Sequence, residues 1–277
     1  MEQNTGLLRN TVDKYYTNKD VVSECMNFIS TYIDFNKKED LFIEPSAGNG
    51  SFIPYIKQIS DNHIFYDIEP DHEDVIQQDY LSLDYESITS NKSYNQIHIL
   101  GNPPFGRQSS LAIKFIKKSA LYGDTMSFIL PKSFKKDSLK KHFPLNFHLV
   151  LEYDIPDNAF NVNNVTYNVP CVFQIWIKKD SNRVVPYKLL PNNFKFVKKD
   201  DDHDISFTRV GINAGNIDTV TDAKSIQSHY FIKFDKKFTN ALYTKLQNIQ
   251  YDCKNNTVGP KSISKQELIK EFNSIMN

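Results

Sequence analysis

Leu41-Phe42-Ile43-Glu44-Pro45-Ser46-Ala47-Gly48-Asn49-Gly50-Ser51 reads as a short apolar strand with a polar end and a glycine turn, followed by helical residues from about Phe52 to Ile59. Upstream, from Lys19 to Phe35, the residues Val21, Val22, Cys25, Ile29, Tyr32 and Ile33 recur at helical spacing and predict an amphipathic helix. Downstream, His63 to Tyr66 predicts a strand ending in Asp67, Asn95 to Leu100 one ending in Gly101-Asn102-Pro103-Pro104-Phe105-Gly106, and Thr125 to Leu130 one ending in Pro131. A helix from Leu111 to Leu121 separates the last two.

Strands alternating with helices predict a doubly wound, mostly parallel sheet, whose ligands lie at the carboxyl ends of strands. Phe147 to Tyr153 and Val169 to Lys178 read as two further strands, joined by an Asn-rich loop (Asn158, Asn161, Asn163, Asn164) and forming the antiparallel edge of that sheet. Residues 1–183 are thus read as the ligand-binding catalytic domain. Residues 184–277 form a small appended region for substrate recognition or for capping, with strand-like runs Ile205 to Val210 and Tyr230 to Phe234 and helices near Phe238 to Ile249 and Lys265 to Ile275.

At 277 residues the chain is long enough for one α/β domain with an appendage and too short for two full domains with separate cores. No stretch approaches the roughly 20 apolar residues that cross a bilayer, and MEQNTGLLRN carries no secretion or transit pattern, so a soluble, intracellular protein is expected, cytoplasmic or nuclear. Cys25, Cys171 and Cys253 form no Cys-x-x-Cys pair, which argues for buried thiols and against zinc or a disulfide framework. The run Lys198-Lys199-Asp200-Asp201-Asp202-His203-Asp204 lacks calcium-loop spacing and reads as a solvated turn, so no metal is expected. Net charge is zero, so a nucleic-acid partner would need a local basic face. Richness in Asn, Lys and Ile hints at an AT-rich genome, viral or that of a mobile element.

The glycine turn lets backbone approach a ligand closely, and Glu44 at the strand end suits an ammonium or hydrogen-bond-donating group. A dinucleotide fingerprint would place a third glycine three residues after Gly50, where Ile53 stands. Asp67, followed by Ile68, ends the next strand where an acid binds ribose hydroxyls, and Asp79 follows where a carboxylate can accept from an adenine amine while Tyr80 packs on the ring. Alone, each of these is equally a turn or a solvated loop acid; together, in this order, they describe a nucleoside site.

The strongest signal is Asn102-Pro103-Pro104-Phe105. Its prolines stiffen the backbone, so the Asn102 side-chain oxygen and the Pro103 carbonyl form two fixed acceptors, and Phe105 offers a stacking face. A conjugated amine is a weak nucleophile because its lone pair is delocalised. Holding its two hydrogens draws the nitrogen toward a tetrahedral shape, and alkylation then makes it acidic enough to lose a proton to water, so no His or Cys nucleophile is called for. The bland reading is a proline turn ending an edge strand.

Over roughly residues 12 to 180 the chain resembles the S-adenosylmethionine (SAM) dependent amino-methyltransferases, in particular the adenine-specific DNA methyltransferases, on Tyr15-Tyr16-Thr17, Glu44 to Phe52, Asp67, Asp79-Tyr80 and Asn102 to Phe105. That resemblance implies a seven-stranded class I, Rossmann-like methyltransferase fold with SAM as cofactor. Tyr16 and Thr17 would contact the methionine end of SAM; Glu44, Pro45, Ala47, Gly48 and Gly50 would line it; Asp67 would bind ribose and Asp79 adenine, beside Ile68 and Tyr80. Asn102 to Phe105 would hold the target amine. Asn18 departs from the family, which often carries proline there, and a large target-recognition domain is missing. Ribosomal-RNA adenine methyltransferases share Asn-Pro-Pro-Phe-Gly, and release-factor glutamine methyltransferases carry a near relative of it.

Arg107, Lys114, Lys117, Lys118, Lys132, Lys135, Lys136, Lys140 and Lys141 follow the motif and could track phosphates, with Arg107, Lys132 and Lys135 the leading candidates for substrate contact; solvated helix faces are the alternative. In the tail, Arg209-Val210-Gly211, His229-Tyr230-Phe231 and Thr257-Val258-Gly259-Pro260-Lys261-Ser262 form either a modest recognition surface or a packing cap. The expected activity is methylation of the exocyclic amine of adenine in nucleic acid, DNA ahead of RNA. The alternatives are an RNA adenine methyltransferase, a protein glutamine methyltransferase and a non-catalytic SAM-binding subunit. No membrane partner is expected, and the pattern leaves a monomer and higher oligomers both open.

Overall fold

In a computed structural model, residues 15–84, 86, 88, 93–162 and 165–276 are described. Asn163 and Asn164 and the N-terminal ten residues read above for targeting signals lie outside them. The chain divides into two compact units, one ending at Val184 and one beginning at Val185.

The first unit is built on β2 (Leu41–Glu44), following a two-residue strand β1 (Tyr16–Thr17) and the helix α1 (Lys19–Tyr32). The turn after β2 leads to α2 (Ile53–Ile59), then β3 (His63–Asp67), β4 (Ile76–Gln77), β5 (Ile97–Gly101), α3 (Ser110–Ser119) and β6 (Thr125–Pro131). A short helix α4 (Asp137–Lys140), β7 (Phe147–Asp154), β8 (Phe160–Val162), β9 (Val165–Tyr167) and β10 (Cys171–Lys178) complete it. Seven strands form one sheet in the order β4-β3-β2-β5-β6-β10-β7. All neighbours from β4 to β6 are parallel, and β10 runs antiparallel to both β6 and β7. This is a doubly wound, Rossmann-like sheet, mostly parallel with β10 reversed.

All four residues of β2 are buried because helices cover both faces of the sheet. Pleating sends Phe42 to one layer, with Val22, Cys25 and Ile29 of α1 and Ile53 and Ile56 of α2, and sends Leu41 and Ile43 to the other, with Ala112, Phe115 and Ile116 of α3. Direction reverses at β2, whose neighbours are β3 on one side and β5 on the other. A crevice therefore opens beyond the carboxyl ends of β2 and β5, where Glu44 and Asn102 emerge.

The Asn-rich stretch is a hairpin of β8 and β9, and β8 pairs with β1 in a separate three-stranded sheet. Its partner lies some 140 residues upstream, as in Asn18 Nδ2 to the Asn158 carbonyl (2.6 Å), so no local pattern announces it. The departure at Asn18 has its reason here: its backbone N–H donates to the Ala159 carbonyl (2.9 Å), a bond that proline lacks a donor to make.

His98 on β5 is buried between Asp40 (Nε2 to Oδ2, 3.3 Å) and Thr125 (Nδ1 to Oγ1, 2.9 Å). Burial holds its imidazole below the usual value of 6.5, outweighing the opposing pull of Asp40. The unfolded chain thus takes up a proton near 6.5 and the folded chain only at lower pH. This contribution to stability is complete above that value and falls as pH drops from it toward the folded value. We expect the urea midpoint to drop between pH 7.5 and 5.5, by less in His98→Asn; equal drops in both proteins would remove His98 as the cause.

The second unit is an antiparallel sheet, order β11-β14-β12-β13, of β11 (Phe194–Val197), β12 (Ile205–Thr208), β13 (Ile217–Asp218) and β14 (His229–Phe234), with helices α5 (Asn240–Gln247) and α6 (Lys265–Met276). Phe194, Phe207, Ile232 and Phe234 pack with Leu246, Leu268 and Phe272 in its own core. No described helix is long and apolar enough to cross a membrane. Among the described residues no three His, Cys, Asp or Glu side chains gather as a metal site. In the acidic run, Asp202 and Asp204 pair with Lys233.

Candidate active site

A cavity of about 530 Å³ occupies the crevice at the ends of β2, β3 and β5. Tyr16, Thr17, Glu44, Pro45, Ala47, Gly48, Asp67, Ile68, Asp79, Tyr80, Asn102 and Pro104 all line it. Four carboxylates (Glu44, Asp67, Glu69, Asp79) and no Lys, Arg or His stand among its lining residues. Such a wall attracts a cation and repels the phosphates of a dinucleotide.

Glu44 is the most telling group. It is 2% exposed, and its Oε2 is buried with no hydrogen-bond partner among the described residues. Burial, reinforced by the nearby Asp67, holds its carboxyl well above the usual carboxylate range. A buried acid without a partner is costly to a ligand-free protein and suits a ligand that brings a cation or donor. Gly101 makes room for it: at φ +134°, a Cβ there would lie 3.0 Å from Glu44 Cγ.

The turn holds its shape through Asp67, whose Oδ2 accepts from Gly48 N–H (2.8 Å) and whose Oδ1 accepts from Glu69 N–H (2.9 Å). Tyr16 leans over the turn, with its hydroxyl donating to Asp71 and its ring 3.3 Å from where a Gly48 Cβ would stand. Asp79 caps the 3-10 turn Tyr80–Ser82 by accepting from Leu81 N–H with Oδ1 (2.9 Å), which leaves Oδ2 without a donor among the described residues. Ile68, 62% exposed, offers the cavity an apolar face.

Asn102 is oriented by its own amide. Its Nδ2 donates to the Tyr15 carbonyl (3.2 Å) and to Thr17 Oγ1 (3.3 Å), and its backbone carbonyl accepts from Ser46 Oγ (3.3 Å). With the nitrogen so engaged, Oδ1 has no donor among the described residues. The strand β1 therefore fixes the acceptor, a link from residues 15–17 to residue 102 that no sequence spacing displays.

Several expectations need correction. Tyr80 borders the cavity, but its ring is 1% exposed and stacked on Phe115 (5.5 Å), and its hydroxyl is bonded to Ser119 (2.9 Å), so it is core and not a free stacking face. Gly50, Pro103 and Phe105 are not among the lining residues. Gly50 closes the turn through Ala47 (2.7 Å), Phe105 packs on the α1–α2 layer, and its carbonyl accepts from Leu111 N–H (3.1 Å) at the start of α3. Arg107 is exposed and outside the cavity. Lys132 and Lys135 share the one carboxylate of Asp154, and Lys140 pairs with Glu152, so this part of the expected basic face is held in ion pairs. Sequence reasoning passed over Leu81, Leu111 and Phe115, apolar wall residues whose helical or turn spacing reads as ordinary core.

No protein-family model matches the sequence, and no curated protein matches it. In fold, the chain is similar to a Pyrococcus horikoshii protein described as an RNA methyltransferase (14% identity, TM-score 0.47, covering 63% of this chain and 93% of that one). It is also similar to the methyltransferase subunit of a type I restriction-modification system from Streptococcus thermophilus (14%, TM-score 0.43, 62% and 46%). A third likeness is to magnesium protoporphyrin IX methyltransferase from Synechocystis, with bound SAM (11%, TM-score 0.40, 58% and 79%). The three carry different descriptions, and at such identities the fold assignment rests on the strand order itself.

Proposed function

We propose that this chain is a SAM-dependent methyltransferase whose target is the exocyclic amine of adenine in nucleic acid, with DNA ahead of RNA. One observation carries the reading: Glu44, whose buried Oε2 has no hydrogen-bond partner among the described residues, and Asn102, whose Oδ1 has no donor among them, line the same cavity, walled by acids.

SAM suits this donor set. Glu44 would take its ammonium group, Asp67 has carboxylate lone pairs for ribose hydroxyls, Asp79 Oδ2 would accept from the adenine amine and Ile68 would cover the ring. When bound, SAM supplies an electrophilic methyl group on a sulfonium centre. The protein's part is positional: Asn102 Oδ1 would accept an amine hydrogen, hold the nitrogen in place and favour its tetrahedral form. Pro104 at the cavity wall keeps this segment extended, and the proton released afterwards goes to water.

The test is incubation with methyl-labelled SAM and matched DNA, RNA and protein pools, followed by digestion and identification of the labelled product. Label in methylated adenine is expected. The pairing of Lys132 and Lys135 with Asp154 favours a second reading, a protein glutamine side chain, because it removes much of the field for phosphates. Label in methylglutamine alone would establish that reading and overturn the first. If nucleic acid is the substrate, Asp154→Asn frees both lysines, and oligonucleotide affinity at about 50 mM salt should rise several-fold with a steeper salt dependence. An unchanged slope would place these lysines away from the bound strand.

A further inference from the structure

Three tail segments set apart by their composition meet in the second unit. Arg209-Val210-Gly211 runs antiparallel to Lys261-Ser262-Ile263, with Val210 opposite Ser262, Gly211 N–H donating to the Lys261 carbonyl (2.9 Å) and Ile263 N–H to the Arg209 carbonyl (2.8 Å). Arg209 N–H also donates to the Ser228 carbonyl (2.9 Å), which brings in the start of β14.

Beside this bridge Lys261 is exposed and Gly211 carries no side chain, while Ile263, opposite Arg209, anchors the pairing in the core of the unit. Arg209 lies 5.4 Å from the Tyr230 ring centroid and donates through Nε to the Gln227 carbonyl (3.1 Å), so its guanidinium is held with donors to spare. Lys265 lies 4.5 Å from the Phe196 ring and 5.5 Å from that of Tyr230. The bonds between Ser264 and Glu267 (2.7 and 3.3 Å) cap the first turn of α6 and fix where Lys265 stands.

Among the described residues none of these three cations is paired with a carboxylate, unlike Lys132, Lys135, Lys140, Lys224 and Lys233. A Cβ at Gly211 or Gly259 would meet nothing within 4 Å, so the surface beside them is open. Residues 185–277 hold fourteen Lys and Arg against ten Asp and Glu, in a chain whose net charge is zero. Cations held on aromatic rings, unpaired and next to open backbone, match phosphodiester groups spaced along a strand.

We infer that Arg209 and Lys265, set on Tyr230 and Phe196, together with the exposed Lys261, form a grip for the phosphodiester backbone of the nucleic acid that is methylated. This rests on the nucleic-acid reading above and adds the surface that holds the strand. Fluorescence anisotropy of labelled DNA and RNA oligonucleotides, single-stranded and duplex, tests it on the full chain across a salt series. The triple variant R209Q/K261Q/K265Q should bind at least about tenfold more weakly, and the slope of log K on log salt should lose about 2 to 3 in magnitude. SAM affinity and kcat at saturating oligonucleotide should stay at wild-type values. Arg209→Lys, which keeps the charge, should keep the slope and guards against a folding defect.

K236Q/K237Q/K245Q, which removes the same charge elsewhere in the unit, should change binding little. Wild-type affinity in the first triple, or an equal loss in the second, overturns the grip while leaving the methylation reading standing. A wild-type chain that neither binds nor methylates any nucleic acid takes down both.

Discussion

Asn102→Ala is expected to lower methyl transfer by about 10²- to 10³-fold, the usual cost of removing one preorganised group that acts on the reacting centre. SAM affinity should change by no more than about threefold, because in the proposed reaction Oδ1 holds the target amine and not the cofactor. The geometry explains the size of the effect. Asn102 Nδ2 is already committed to Tyr15 and Thr17, so Oδ1 is held in position before the substrate arrives. Alanine removes the acceptor and leaves the Tyr15 carbonyl and Thr17 Oγ1 without this donor. Asn102→Asp separates these losses, since it keeps an oxygen and loses the orienting amide. Single-turnover rates with saturating SAM, alongside equilibrium SAM binding, check both variants. A variant that binds SAM and methylates at the wild-type rate would remove Asn102 from the chemistry.

Glu44→Gln should weaken SAM binding by about 10²-fold or more, on the order expected when one partner of a buried ion pair is removed. The same substitution should favour the ligand-free protein more at pH 8 than at pH 5, because it removes a buried acid whose ionisation is opposed and whose Oε2 has no hydrogen-bond partner among the described residues. The signs follow from the raised carboxyl. In the ligand-free protein Glu44's contribution to stability is complete below the unfolded value of 4.5 and is lost as pH rises through the folded value. Binding an ammonium group favours the carboxylate, so it expels a proton, and affinity rises with pH up to the ligand-free value and then levels. Calorimetric titration in buffers of different ionisation enthalpy measures the proton, and thermal melts near pH 5 and pH 8 measure the stability. Wild-type affinity and proton release in the Glu44→Gln variant would assign the ammonium group to another acid.

The opposite behaviour of His98 makes the pair diagnostic. Its depressed value makes acid conditions destabilising, whereas Glu44 makes neutral conditions costly. Comparing His98→Asn and Glu44→Gln separates two slopes that overlap in the wild-type curve.

Much of the site was legible because each element of a doubly wound sheet presents its ligand residues at a strand end. Leu41–Glu44, His63–Asp67 and Ile97–Gly101 are short apolar runs, and the polar residue closing or following each one is where the cavity lies. What could not be read was contact between distant segments. Tyr80 looked like a stacking face and is core, because Phe115 and Ser119, on a helix about forty residues on, claim its ring and hydroxyl. Lys132 and Lys135 looked like a phosphate track until β7 brought Asp154 to them.

The sequence by itself determined the parallel sheet, the turn after Glu44 and the Asn-Pro-Pro-Phe segment, since strand length, helical period, glycine and proline act within a few residues. Only the tertiary structure decided that Asn102 is aimed by Tyr15 and Thr17, that Glu44 Oε2 is buried without a hydrogen-bond partner among the described residues, and that Arg209 and Lys265 both lie over Tyr230. Desolvation, orientation and charge pairing depend on what lies opposite a side chain in space, and chain spacing does not carry that information.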